Sequence, residues 1–262
     1  MISKLIGGAA LWVALSGGIG AADFTFGALG DTPYTRFEEA YFPDLLAGMS
    51  REDLAFVVHV GDFKAARARC SDELFRQRKE WFDLVRHPFV FVPGDNDWTD
   101  CRGFQAGGYD PLERLAKLRE LFSRGEDSLG QRRIRLARQS PDYPEHARWR
   151  QGDVLFVTLN VPGHANNARR MPEEFRSRSA AVARWLEQSF NLARGDRLRA
   201  VVIFMQANPW ASPATRYFGY RELLATMAKE PRGFDGGVLL VLEWDVHDFV
   251  WRWRFTVRPG WW

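Results

Sequence analysis

Short apolar runs recur along the chain, each closed by Gly, Pro, Asp or Asn. DFTFGAL (23–29), LAFVVHV (54–60), FVFV (89–92), DVLFVTL (153–159), RAVVIFM (199–205) and GVLLVLEW (237–244) read as buried strands. FVWRWRFTV (249–257) alternates and reads as a half-exposed strand. Amphipathic stretches separate these runs. Ser71 is placed to cap a helix in which Leu74, Phe75, Trp81, Phe82 and Val85 share a face. Leu112, Leu115, Leu118 and Leu121 mark a second helix over 111–124, and Val182, Trp185, Leu186 and Phe190 a third over 177–193. A fourth is expected near 217–228. The alternation predicts an α/β domain with helices packed on sheets. Ligands of such folds bind at the carboxyl ends of strands.

Composition changes the picture little. With 262 residues the chain is long enough to bury a sizeable core, and its net charge is only +3. The basic cluster QRRIRLAR (131–138) has no aromatic stacking platform, so a solvated helix face is expected there and no nucleic-acid partner. The first residues matter more. MISKLIGGAALWVALSGGIGAAD has one Lys, an apolar run and then small residues, which is the layout of a signal peptide over 1–22. An uncleaved anchor is the alternative. Cleavage near Ala21 or Ala22 would leave a single domain, 23–262, in the periplasm or secreted, with no membrane partner. In that oxidising setting Cys70 and Cys101 are either a disulfide or two buried thiols. A bridge would close a loop of about 30 residues and contribute roughly 3 kcal/mol in the chain-entropy account.

The strand exits carry the candidate chemistry. GDTPY holds Asp31, GDFK holds Asp62, and PGDNDW holds Asp95, Asn96 and Asp97. NVPGH holds Asn160 and His164, QANPW holds Gln206 and Asn208, and DVH holds Asp245 and His247. One Asp beside Gly is an ordinary turn residue. Six such exits would converge on one rim, where gathered carboxylates call for a counter-cation.

These motifs resemble the calcineurin-like metallophosphoesterase family over roughly 24–250. They are closer still to an exported bacterial subgroup with GDTPY and PGDNxWTDC motifs, which shares the cysteine pair. The resemblance implies two β-sheets sandwiched between helices, a four-layer αββα fold, and a two-metal site hydrolysing phosphate esters. It aligns Asp31 with the family's first Asp and Asp62 with the bridging Asp. Asp95 stands in place of a metal-binding Asn, Asn96 in place of the catalytic His, and Gln206 in place of a lone His. Asp245 stands in place of the first His of the last motif, and His247 matches the second. Pro33 occupies the position of the first motif's His, and Trp244 that of the Gly before the last pair.

On that alignment Asp31, Asp62 and His247 would hold one metal, and Asp62, Asp95, Gln206 and Asp245 a second. So many oxygen donors favour one or two Mn²⁺, Mg²⁺ or Ca²⁺ ions over Zn²⁺. Asn96 can donate a hydrogen bond to substrate but cannot deliver a proton, so His59, Asp97 or His164 supplies one, or the substrate has an acidic leaving group, or little catalysis remains. His59 also reads as a core histidine. Asn160 and Asn208 are candidate contacts for a small phosphorylated substrate, His87 and His146 are expected on the surface, and Trp98 and Trp210 either beneath the loops or as a substrate-facing wall. Three readings stand: an exported metal-dependent phosphoesterase, a catalytically impaired binding protein on the same fold, and an envelope interaction protein.

Overall fold

The computed structural model describes residues 11–14, 24–211 and 218–242. Asp245, His247 and the strand expected over 249–257 lie outside the described residues. Two sheets form the frame. The first has the order β1 (Leu11–Ala14), β2 (Thr25–Leu29), β3 (Val57–His59) and β4 (Phe89–Phe91). β2, β3 and β4 are parallel, with Leu29 beside His59 and His59 beside Phe91. β1 lies in the stretch read as an export leader and pairs antiparallel with β2. The second sheet runs β5 (Ala137–Arg138), β6 (Ala147–Gln151), β7 (Val154–Thr158), β8 (Ala200–Met205) and β9 (Gly237–Leu242). β7, β8 and β9 are parallel, and β5 and β6 add an antiparallel edge.

Strand alternation sorts the side chains. Phe26, Val58 and Val90 face Trp149, Phe156 and Phe204 of the other sheet. The Phe56 and Phe156 rings meet at 4.7 Å. Val57, Phe89 and Phe91 point the other way, into a cluster with Phe42, Phe82 and Leu118 from the helices. These helices are α1 (Arg36–Arg51), α2 (Asp72–Asp83) and α3 (Pro111–Phe122). On the far side α4 (Pro172–Gly195) lays Val182, Trp185, Leu186 and Phe190 on Leu155, Val157, Val201 and Ile203, with α5 (Arg221–Lys229) beside it. The expected α/β architecture of two sheets with helices against them is therefore present. With both faces of β3 and β4 covered, their continuous apolar runs need no polar alternation. No helix among the described residues is long and apolar enough to cross a membrane.

Local signals explain the helix starts. The Ser71 hydroxyl accepts the Leu74 N–H at 3.2 Å, as its position predicts. Thr35 and Glu38 form a reciprocal capping box at the start of α1. The periodicity reading passes over α1 because Pro43 interrupts it and Phe37 and Tyr41 face outward, although Phe42, Leu46 and Met49 repeat at helical spacing. Three expectations are corrected. The 131–138 cluster is solvated but not helical: it leads into β5, the two-residue edge strand. Leu112 points outward from α3 at 46 % exposure, unlike Leu115 and Leu118. His87 and His146 are buried rather than on the surface, because β4 and β6 carry their chain segments inward.

Candidate metal site

The strand register sets the loops side by side. Leu29, His59 and Phe91 lie abreast, and Asp31, Asp62 and Asp95 follow within two to four residues of them. Asp31 and Asp62 both take left-handed backbone angles, φ 54° and 57°, which Asp tolerates better than most residues. The Tyr34 hydroxyl sits between their carboxylates. It donates to Asp31 Oδ1, lies 3.3 Å from Asp62 Oδ2, and accepts the Asn96 Nδ2 donor at 3.2 Å. His59 braces this loop from below. Its Nε2 donates to the Thr32 carbonyl at 2.9 Å while Nδ1 accepts the Gly61 N–H at 3.2 Å, an arrangement that requires a neutral ring. Burial accordingly pulls its pKa down to about 4. His59 is thus a satisfied core histidine.

The loops after β3 and β4 lock together. Asp97 is fully buried and accepts three backbone N–H groups, from Asp62 and Gly94 at 2.8 Å and from Phe63 at 3.0 Å. The Asn96 N–H returns the contact to Asp62 Oδ1 at 2.9 Å. Only glycine fits at position 94, since a Cβ there would lie 2.1 Å from Asp62 Oδ1. Asp97 therefore positions the loop, and its oxygens are engaged by backbone rather than turned to a substrate. Burial pushes its pKa up to about 7, against the pull of these N–H groups and of Lys64. Lys64, itself buried, bonds the Ala65 carbonyl at 3.1 Å. Burial, followed by the charges of Asp95, Asp97 and Asp31, holds the Asp62 carboxyl well above the usual range.

The second sheet closes the site. From the end of β8, Gln206 Nε2 donates to Asp95 Oδ1 at 2.9 Å and approaches Asp62 Oδ2 at 3.3 Å. Its Oε1 accepts the Gly163 N–H at 2.6 Å, so the amide nitrogen, not the oxygen, faces the carboxylates. After β7, His164, Ala165, Asn166 and Asn167 form a turn of four successive left-handed residues, φ 49–58°. Such backbone costs about 1–2 kcal/mol per residue, and side chains hold it in place. Arg178 bonds Asn166 Oδ1 at 2.5 Å, and the Tyr220 hydroxyl donates to the Pro162 carbonyl at 3.0 Å. The turn delivers His164 Nδ1 to Asp95 Oδ2 at 2.5 Å, and that bond is the main cause of the raised pKa of His164.

Asp95, Asp100 and His164 each offer a ligand atom within 4.8 Å of the others, so this group could hold a metal ion. Arg170 also reaches Asp100, at 2.9 Å. The sequence reading missed Asp100. Its one signal is its place beside Cys101 in WTDC, because the bridge fixes that end of the loop. The disulfide between Cys70 and Cys101 is formed, and both sulfurs lie within 3.9 Å of the Asn96 carbonyl. Trp98 is buried beneath the loop, under the Arg178 guanidinium.

Other expected contacts lie apart from the cluster. Asn160 is fully buried and donates to Glu145 Oε1 at 3.0 Å, inside a network completed by Arg119. The Asn208 side chain accepts the Trp210 N–H at 2.9 Å and shapes its own turn, leaving Trp210 47 % exposed rather than beneath the loop. Among the described residues, then, Asp31, Asp62, Asp95, Asn96, Gln206 and His164 come together. Their chemistry suits a hard divalent cation: carboxylate oxygens predominate, and the buried negative charge faces one buried lysine. Comparison with protein-family models, with curated proteins and with solved structures finds no match to this chain.

Proposed function

We propose that the chain is an exported, metal-dependent phosphoesterase of the calcineurin-like kind, acting on phosphate mono- or diesters. One observation carries this reading. Carboxylates from three separate strand exits meet through shared donors, Asp31 and Asp62 at the Tyr34 hydroxyl, and Asp62 and Asp95 at the Gln206 amide. Asp31, Asp62 and Asp95 would hold the metal, with Asp100 and His164 as further ligands on the Asp95 side. A bound divalent ion supplies Lewis acidity toward a phosphoryl oxygen and lowers the pKa of water. The chain's own residues supply the rest. Asp97 keeps the Asp62 and Asp95 loops in register, and Gln206 orients both carboxylates. The Asn96 amide, with a second N–H beside the one given to Tyr34, would donate to a phosphate oxygen, and the Tyr34 hydroxyl holds Asp31. The disulfide supports a setting outside the reducing cytosol.

A second reading is a binding protein that has lost turnover. Asn96 in the acid's place favours it, since a carboxamide cannot protonate a leaving group. One experiment separates the two. The purified protein is assayed on p-nitrophenyl phosphate and its bis-ester with and without Mn²⁺, beside calorimetric titration of the metal. Hydrolysis that EDTA and Asp62→Ala each reduce at least 100-fold is the expected result. Mn²⁺ binding without hydrolysis selects the binding protein, and absence of both removes the metal site.

A further inference from the structure

The Cys70–Cys101 bridge does more than brace the carboxylate loop. It joins two surface loops, 64–70 and 101–109, into one rigid crest. The Cys70 N–H bonds the Ala106 carbonyl at 2.9 Å, and the Tyr109 N–H bonds the Cys101 carbonyl at 2.9 Å. Within the loop, Gly107 N–H reaches the Phe104 carbonyl at 3.2 Å and Gly108 N–H reaches Gly103 at 3.0 Å. At the top of this hydrogen-bonded loop stands Phe104, 96 % exposed. A bare aromatic on a mobile tip would mean little, but here the backbone is fixed and the ring is held out. Arg102 lies two residues from it, and Arg67 and Arg69 are exposed on the joined loop, Arg69 over the Tyr109 ring at 5.9 Å; among the described residues none of the three forms an ion pair. Of the acids close to them in sequence, Arg170 holds Asp100, Arg114 holds Asp72 and Asp110 caps α3, while Glu73 is exposed at the start of α2.

We propose that this crest docks on an anionic phospholipid bilayer. Phe104 enters the boundary of the acyl chains while the three guanidinium groups meet headgroup phosphates. An exposed aromatic beside exposed cationic side chains that hold no carboxylate is what an interfacial protein needs. A second copy of this chain is a poor occupant, because a two-fold contact would set the same arginines against each other. A soluble polyanion would satisfy the arginines and leave the ring in water. Asp100 precedes Cys101, so a docked bilayer would lie beside the candidate metal site. The inference runs against the expectation of no membrane partner after leader removal, and it does not depend on the phosphoesterase reading.

Co-sedimentation with vesicles tests it, using the full chain so that the leader is common to every variant. Vesicles of phosphatidylcholine alone are compared with vesicles containing 30 % phosphatidylglycerol. Phe104→Ser should weaken partitioning about ten-fold, and Phe104→Trp should preserve it. Each of Arg67→Gln, Arg69→Gln and Arg102→Gln should weaken binding to the anionic vesicles by roughly five-fold, and 0.5 M NaCl should act in the same direction. Thermal melting of each variant guards against misfolding. Unchanged partitioning for Phe104→Ser and the arginine variants overturns the proposal. So does loss of dimerisation in Phe104→Ser without vesicle binding, which would make the crest a copy-to-copy contact. Tight heparin binding that ignores Phe104, without vesicle binding, would assign the arginines to a soluble polyanion.

Discussion

Asp97 shows how much of this site depends on a residue whose oxygens never face the solvent. Its carboxylate gathers N–H groups from both sides of the cluster, so Asp97→Asn must turn an amide nitrogen toward at least one donor. Leaving a buried group without its partner costs about 1–3 kcal/mol. Urea denaturation should show that loss, and Mn²⁺ affinity should fall with it because Asp62 and Gly94 lose their common anchor. Unchanged denaturation would mean that the loops stand without Asp97. The sequence set Asp97 on the same strand exit as Asp95 and Asn96 but could not tell a proton donor from a positioning group. That difference lies in which way the side chain turns, and the turn is set by Gly61 and Gly94 together, 33 residues apart. Tyr34 was just as hidden: its role depends on a loop bent back over Asp62.

At the scale of elements, apolar runs bounded by turn residues marked six strands close to where they form, because both faces of the parallel strands are buried and periodicity is all they require. The short antiparallel edge, β5 and β6, escaped notice. Ala137–Arg138 is too brief to show alternation, and β6 reads ARWRQ, where two arginines break the apolar run. Arg148 stacks on the Trp185 ring at 4.3 Å. The disulfide was legible as one of two states of a cysteine pair, and its place gives a prediction for the loops it ties. Replacing both Cys70 and Cys101 by Ala should lower stability by about 3 kcal/mol in urea denaturation. It should also weaken Mn²⁺ binding more than an equally destabilising substitution in the inter-sheet core, such as Val202→Ala. Equal metal affinity in the two variants would assign the bridge to the fold alone.

For the molecule as a whole, buried titratable groups make stability depend on pH. His146 is fully buried and donates to Gln139 Oε1 at 2.6 Å. Burial brings its pKa down to about 4, with Glu145 opposing. The unfolded imidazole binds a proton below about 6.5, and the folded one refuses it until about 4. Its contribution is therefore intact above pH 6.5 and is lost as the pH falls toward 4. His59 acts in the same direction, whereas the raised carboxyls of Asp62 and Asp97 act in the opposite one. Comparison with His146→Gln isolates the single ring. The stability advantage of the parent over this variant should shrink by up to about 3 kcal/mol between pH 7 and pH 4. A pH-independent difference would show that the ring titrates alike in both states.

The side-by-side strand exits have a consequence for how such a molecule can change. Three apolar clusters secure the scaffold; the loops beyond β4 and β7 belong to them through Trp98, Cys101, Leu159 and Val161, whereas the loop over 30–35 beyond β2 contributes no member. The β2 exit can therefore be lengthened, shortened or re-lettered while the strands stay put, so the donors it supplies can drift separately from the architecture. The join between the β3 and β4 loops is the exception. There two glycines and one aspartate interlock too closely for either side to move without its neighbour.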